Sequence, residues 1–128
     1  HRFHFPDVGA ALEPRMLGRG LHSVHPIALD GGADSFRNKR MVTRLKSNGF
    51  GEMVLIEVGA LTVGSIVQTF RPGRVERGQE KGYFRIGGST VILLAMAGKV
   101  ILDEDLLEAS AGGLESLVKF GSRIGSRE

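Results

Sequence analysis

A chain of 128 residues is long enough for one hydrophobic core and short for two, so a single domain is expected. It contains no cysteine, which excludes disulfides, thiolate metal sites and thiol redox chemistry. The net charge of +3 is modest, and seven Phe, one Tyr and no Trp leave few platforms for stacked bases, so nucleic acid is not an expected partner.

The first segment is His1-Arg2-Phe3-His4-Phe5-Pro6. Opening inside a motif, the chain reads as a piece of a longer protein whose upstream part could hold a signal or a membrane anchor. Pro6 and the alternating aromatics favour an extended segment, where a spacing of three puts His1 and His4 on opposite faces. That disfavours a metal pair. His22 and His25 repeat the spacing before Pro26 without a third ligand, so no metal site is expected. An imidazole is instead the acid/base suited to activating a serine or protonating a carbanion near neutral pH. Arg37, Lys39, Arg40, Arg44 and Lys46 then fall close together with no acid among them. Such a cluster can meet phosphate or an anionic membrane surface, and it can equally be a solvated basic face.

Further on, short runs rich in β-branched residues between glycine turns predict strands over 53–58, 65–70, 83–86, 90–96, 99–102 and 116–120. The apolar run at 91–97 falls far short of the ~20 residues of a membrane-spanning helix. One short helix is predicted over 103–109, where acids open the segment and Leu106 and Leu107 follow. The pattern Val75-x-x-Gly78-x-x-x-Gly82 recurs as Val118-x-x-Gly121-x-x-x-Gly125, which suggests two equivalent hairpins. With nineteen scattered glycines, the fold class is mainly β: a single-domain sandwich or barrel with few short helices. It resembles the barrel-sandwich hybrid folds of biotinyl and lipoyl carriers, although no lysine stands at a Met-Lys-Met type hairpin tip.

Gly87-Gly88-Ser89-Thr90 lies between two predicted strands. By itself it is a turn with two flexible residues. A Gly-Ser bond is also a place where self-cleavage is sterically feasible, because glycine admits backbone dihedrals that bring the serine hydroxyl onto the preceding carbonyl. Attack converts the Gly88–Ser89 amide into an ester. β-Elimination then frees the upstream chain, and the dehydroalanine left behind hydrolyses to a pyruvoyl group and ammonia.

The segments His1-Arg2-Phe3-His4-Phe5-Pro6, Gly20-Leu21-His22-Ser23-Val24-His25-Pro26, Phe36-Arg37-Asn38-Lys39-Arg40, Val58-Gly59-Ala60-Leu61-Thr62-Val63-Gly64-Ser65-Ile66 and Lys81-Gly82-Tyr83-Phe84-Arg85-Ile86-Gly87-Gly88-Ser89-Thr90 resemble, in order, the motifs of the phosphatidylserine decarboxylase family. The resemblance runs nearly end to end. It implies a catalytic core over residues 1–128 that self-cleaves into a β chain, 1–88, and an α chain, 89–128, which stay associated. Ser89 is then the precursor of a covalent pyruvoyl cofactor and Gly88–Ser89 the cleavage site. His4 matches the histidine that activates the cleavage serine, and His1 the one implicated in decarboxylation. The motif departs at Pro6-Asp7-Val8-Gly9, where the family tends to carry its polar residue directly before the glycine. The family's triad aspartate lies upstream of the first motif, outside this sequence. Asp7 is a conceivable substitute, with no geometric argument behind it.

The implied reaction is decarboxylation of phosphatidylserine to phosphatidylethanolamine, with Ser23, Asn38 and Arg40 as tentative substrate binders. The implied setting is peripheral, at an anionic membrane surface on its cytoplasmic face, and a homodimer is compatible with it. Two alternatives stand beside this: a related pyruvoyl decarboxylase of a soluble amino acid, and a noncatalytic β module that keeps the turn uncut.

Overall fold

The computed structural model describes residues 1–23, 25–61, 65–86 and 90–128. Its elements are β1 (Arg2–His4), β2 (Gly9–Ala11), β3 (Arg15–Leu17), α1 (Pro26–Asp30), a 3₁₀ turn (Ser35–Arg37), β4 (Arg40–Ser47), β5 (Gly51–Val58), β6 (Ile66–Gln68), β7 (Gly73–Val75), β8 (Glu80–Phe84), β9 (Thr90–Ala95), β10 (Ile101–Leu102), α2 (Glu104–Ala111) and β11 (Gly125–Ser126). The larger sheet runs β7-β2-β4-β5-β9, with β3 also on β4; β1-β8-β6 form a second sheet, and β10 and β11 pair alone. The protein is mainly β, as expected, and its sheets are open rather than closed into a barrel.

The β4–β5 hairpin is the frame. Along β4, Thr43, Leu45 and Ser47 are buried while Arg44 and Lys46 face out, and along β5 Met53, Leu55 and Glu57 share the inward face. This period of two is what one covered sheet face imposes. The turn is short, with Ser47 opposite Gly51, and Gly51 takes φ +74°, a conformation that side chains rarely adopt. Phe5, Ala11, Leu45, Met53, Leu55 and Val75 form the main core, with Phe50 and Phe70 packed on it. A smaller cluster joins Phe3 and Phe84, with Ile66 against them, inside the second sheet.

Several elements differ from the sequence reading. The basic cluster of residues 37–46 is largely strand β4: Arg44 pairs with Glu52 at 2.7 Å, and the more exposed Arg37 pairs with Asp34 at 2.9 Å. No strand forms over 116–120, where Leu117 and Phe120 are exposed, because an apolar run becomes a strand only where a neighbouring edge can pair with it. The two glycine echoes are not hairpins. β7 pairs with β2, while β8 pairs with β1 and β6; Gly125 belongs to β11, paired with β10. What the copies share is local: Gly78 and Gly121 both have positive φ, and a Cβ on Gly82 or Gly125 would run into a backbone carbonyl of the adjacent strand. The predicted helix is present as α2, with Glu104 and Asp105 in its first turn, where carboxylates favour the helix dipole.

Candidate active site

The chain enters the Gly87-Gly88-Ser89-Thr90 segment from β8 in one sheet and leaves it along β9 in the other. Gly87, Gly88 and Ser89 themselves lie outside the described residues, so the site is defined by what surrounds its two ends.

On the entering side, β1 lies antiparallel to β8, with Arg2 opposite Tyr83 and Phe3 opposite Gly82. Phe3 and Phe5 turn inward, while Arg2 reaches Glu80 and the Tyr83 ring on the outer side. The main chain of His1 accepts a 2.8 Å hydrogen bond from the Phe84 amide, which puts His1 beside the end of β8 that leads to residue 87. His4 lies opposite Glu80, toward the other end of β8. Its ring packs on Phe120, with centroids 4.4 Å apart, so this histidine contacts the C-terminal part of the chain rather than the end of β8 that leads to residue 87. Register shifts between Phe3 and His4, leaving Lys81 as an extra residue on β8.

On the leaving side, Thr90 is opposite Val58, the last residue of β5. Three of the segments singled out in the sequence are knitted together here. Gly20 bridges Asn38, the Gly59 amide bonds the Lys39 carbonyl at 2.8 Å, and the Leu61 amide bonds the His22 carbonyl at 3.2 Å. Asn38 is fully buried, and its side chain clamps His22 on both sides: Oδ1 accepts from the His22 amide at 2.7 Å and Nδ2 donates to the His22 carbonyl at 2.9 Å. Arg40 turns its guanidinium onto the carbonyls of Ser35, Phe36 and Asn38. Ser23 is half-buried, and its hydroxyl accepts a hydrogen bond from the His25 amide. Ser23, Asn38 and Arg40 are thus brought together, with the polar groups of Asn38 and Arg40 engaged in holding the loop around them.

Asp7 lies elsewhere. Its carboxylate accepts from the Ser47 hydroxyl, the Gly49 amide and the Arg77 guanidinium, at the turn of the β4–β5 hairpin. That turn is seven residues along β5 from Val58, roughly 23 Å at ~3.3 Å per residue. Its carboxylate is thus engaged at the hairpin turn rather than with His4. Among the described residues no group of His, Asp and Glu could hold a metal ion.

One cluster had no place in the sequence reading. Glu57 and Lys81, both with fully buried side chains, pair at 2.8 Å between the two sheets. Gln68 on β6 completes the group, accepting from Lys81 Nζ at 2.7 Å and donating to Glu57 Oε2 at 3.0 Å. The Lys81 ammonium lies 5.4 Å from the centroids of both Phe3 and Phe70. Burial pushes the Lys81 amine below its usual value, opposed by the Glu57 carboxylate. The signal was available: Glu57 has the parity of Met53 and Leu55 in a run otherwise built for burial.

Comparison with known proteins decides the affiliation, since the phosphatidylserine decarboxylase family profile matches residues 1–126. The chain belongs to the phosphatidylserine decarboxylase family. It is similar to the phosphatidylserine decarboxylase proenzymes of Chlamydia trachomatis serovar L2 (49% identical, covering 99% of this chain and 43% of the relative), Clostridium botulinum (47%, covering 99% and 44%) and Ruminiclostridium cellulolyticum (43%, covering 98% and 43%). The chain thus spans less than half the length of these family members. No solved structure matches it.

Proposed function

We propose that this chain is the catalytic core of a pyruvoyl-dependent phosphatidylserine decarboxylase that cuts itself at Gly88–Ser89. The observation that carries the reading is convergence. The first family-like motif lines β8 on one side of the Gly-Gly-Ser-Thr segment, and the next three are knitted together beside Thr90 on the other.

In this reading His4 takes the proton from the Ser89 hydroxyl as its oxygen attacks the Gly88 carbonyl carbon. The amide C–N bond breaks to leave an ester, and elimination expels Gly88 as a carboxylate. Water then replaces the nitrogen at residue 89, which departs as ammonia. The surroundings fit a group generated there: the β5–β9 ladder anchors the downstream end from Thr90 onward, while β1 anchors the upstream strand. The pyruvoyl group supplies the electron sink for loss of carbon dioxide. His1, beside the end of β8, delivers the proton that replaces it, and Asn38 and Arg40 shape the loop that receives the substrate. No described helix is long and apolar enough to cross a membrane. The lipid is met from a peripheral position on the cytoplasmic face.

The test is intact mass spectrometry of the full-length protein carrying this chain, read beside carbon dioxide release from phosphatidylserine vesicles. The unmodified protein should yield two chains, the second beginning with a pyruvoyl group. Ser89→Ala should remain a single inactive chain. His4→Ala should stay uncut, whereas His1→Ala should be cut and lose activity by ~10²–10⁴-fold, as for removal of a general acid. Turnover of free serine but not of the lipid would assign a soluble substrate, and normal turnover by Ser89→Ala would rule out the mechanism.

A further inference from the structure

The Glu57–Lys81–Gln68 cluster is an uneconomical way to hold two sheets together. Both charges are fully buried, and a buried ion pair can usually be exchanged for apolar side chains of similar volume without loss of stability. Nor is the network complete. Glu57 Oε2 receives both donors, while Oε1 is buried with no partner among the described residues. A half-satisfied polar network is a poorer core than an apolar one, so its presence calls for a reason other than cohesion.

Its position supplies the reason. Lys81 is the extra residue of the β8 bulge, seven residues before Gly88 on the strand that leads into the cleavage segment. Glu57 is opposite Val91, two residues beyond Ser89, and the adjacent Val58 is opposite Thr90. Gln68 is opposite Gly82, next to Lys81. The close approach around Gly82, where a Cβ would meet the Val67 carbonyl at 2.1 Å and the Phe3 ring at 2.7 Å, leaves little room for β8 to slide.

We propose that Glu57, oriented by Lys81 and Gln68, is a positioning residue for self-cleavage, a directional tie that holds the strand entering the Gly88–Ser89 bond in register with the strand leaving it. The proposal rests on the self-cleavage reading above. Non-directional packing can keep two sheets together, but it does not fix the offset between them to the fraction of an ångström that attack by a serine oxygen on the preceding carbonyl requires. A misplacement of about 1 Å can cost ~10²-fold in rate.

The experiment uses the full-length protein made by cell-free synthesis, following the first-order conversion of the intact chain into two on denaturing gels. Stability is measured separately, as the thermal midpoint in the uncleavable Ser89→Ala background. The apolar replacement Glu57→Leu with Lys81→Met should melt close to the Ser89→Ala parent, whereas Glu57→Gln, which keeps shape but leaves the Lys81 ammonium buried without its carboxylate, should melt lower. Both should cleave ~10- to 10²-fold more slowly than the unmodified chain, and Glu57→Asp should recover part of the rate. Wild-type cleavage by Glu57→Gln, or by a normally stable double variant, would overturn the proposal and leave the function intact. Should that double variant fail to fold, Glu57→Gln with Lys81→Met, which leaves no buried charge, decides in its place. An unmodified protein that never cleaves would sink the self-cleavage reading, and this proposal with it.

Discussion

Asp7 is a buried acid held at a hairpin turn by donors distant in the chain. Burial alone would raise its pKa, but hydrogen bonds from Ser47 and Arg77 and from the Gly49 and Val8 amides more than reverse this and hold it at about 2. Its folded value thus lies below the ordinary 3.8, so the carboxylate contributes stability that is present above pH ~4 and lost as the pH falls toward ~2. The shift corresponds to about 2 kcal/mol. Asp7→Asn should therefore lower the thermal midpoint at neutral pH, and the gap to the wild type should narrow between pH ~4 and ~2. A gap independent of pH would show that the anionic form is not what the hairpin turn uses. At the same scale, Asn38 is a clamp whose two bonds to His22 could not be foreseen, since partners sixteen residues apart meet only once the chain is folded.

Among the elements, β8 is the most constrained. It is the central strand of its sheet, carries the bulge that turns Lys81 inward, and approaches β6 so closely that Gly82 has no room for a side chain. Gly82→Ala should destabilise the fold by ~1–3 kcal/mol, the usual cost of forcing extra volume into a packed interior. Chemical denaturation of the Ser89→Ala protein with and without this substitution would measure it. An unchanged midpoint would mean that β6 yields easily. β9 is the opposite case, an edge strand whose residues are all exposed, including Val91, Leu93 and Leu94. Its order derives from the ladder to β5, in which six residues from Thr90 to Ala95 pair with Val58 back to Met53.

For the whole molecule, that ladder would hold the two pieces together if the chain is cut as proposed. Residues 89–128 would remain joined to the rest through β5–β9 pairing and the contact of His4 with Phe120. The two pieces should therefore travel together in native mass spectrometry and separate only in denaturant. Dissociation under native conditions would contradict this.

The sequence by itself determined the β class, the positions of β5, β6, β9 and α2, and the order of motifs on which the family resemblance rests. These are legible because strand periodicity, glycine turns and short motifs are local properties of the chain. It did not reveal β4 as a central strand, because alternating Arg and Lys masked Thr43, Leu45 and Ser47, which are inward only when a partner covers that face. Nor could it assign Asp7 to a hairpin turn or join Glu57 to Lys81, twenty-four residues apart. Whether a charged side chain is solvated or buried depends on which strands become neighbours. That is decided by packing across the two sheets, where the loss of water must be offset by partners distant in the chain.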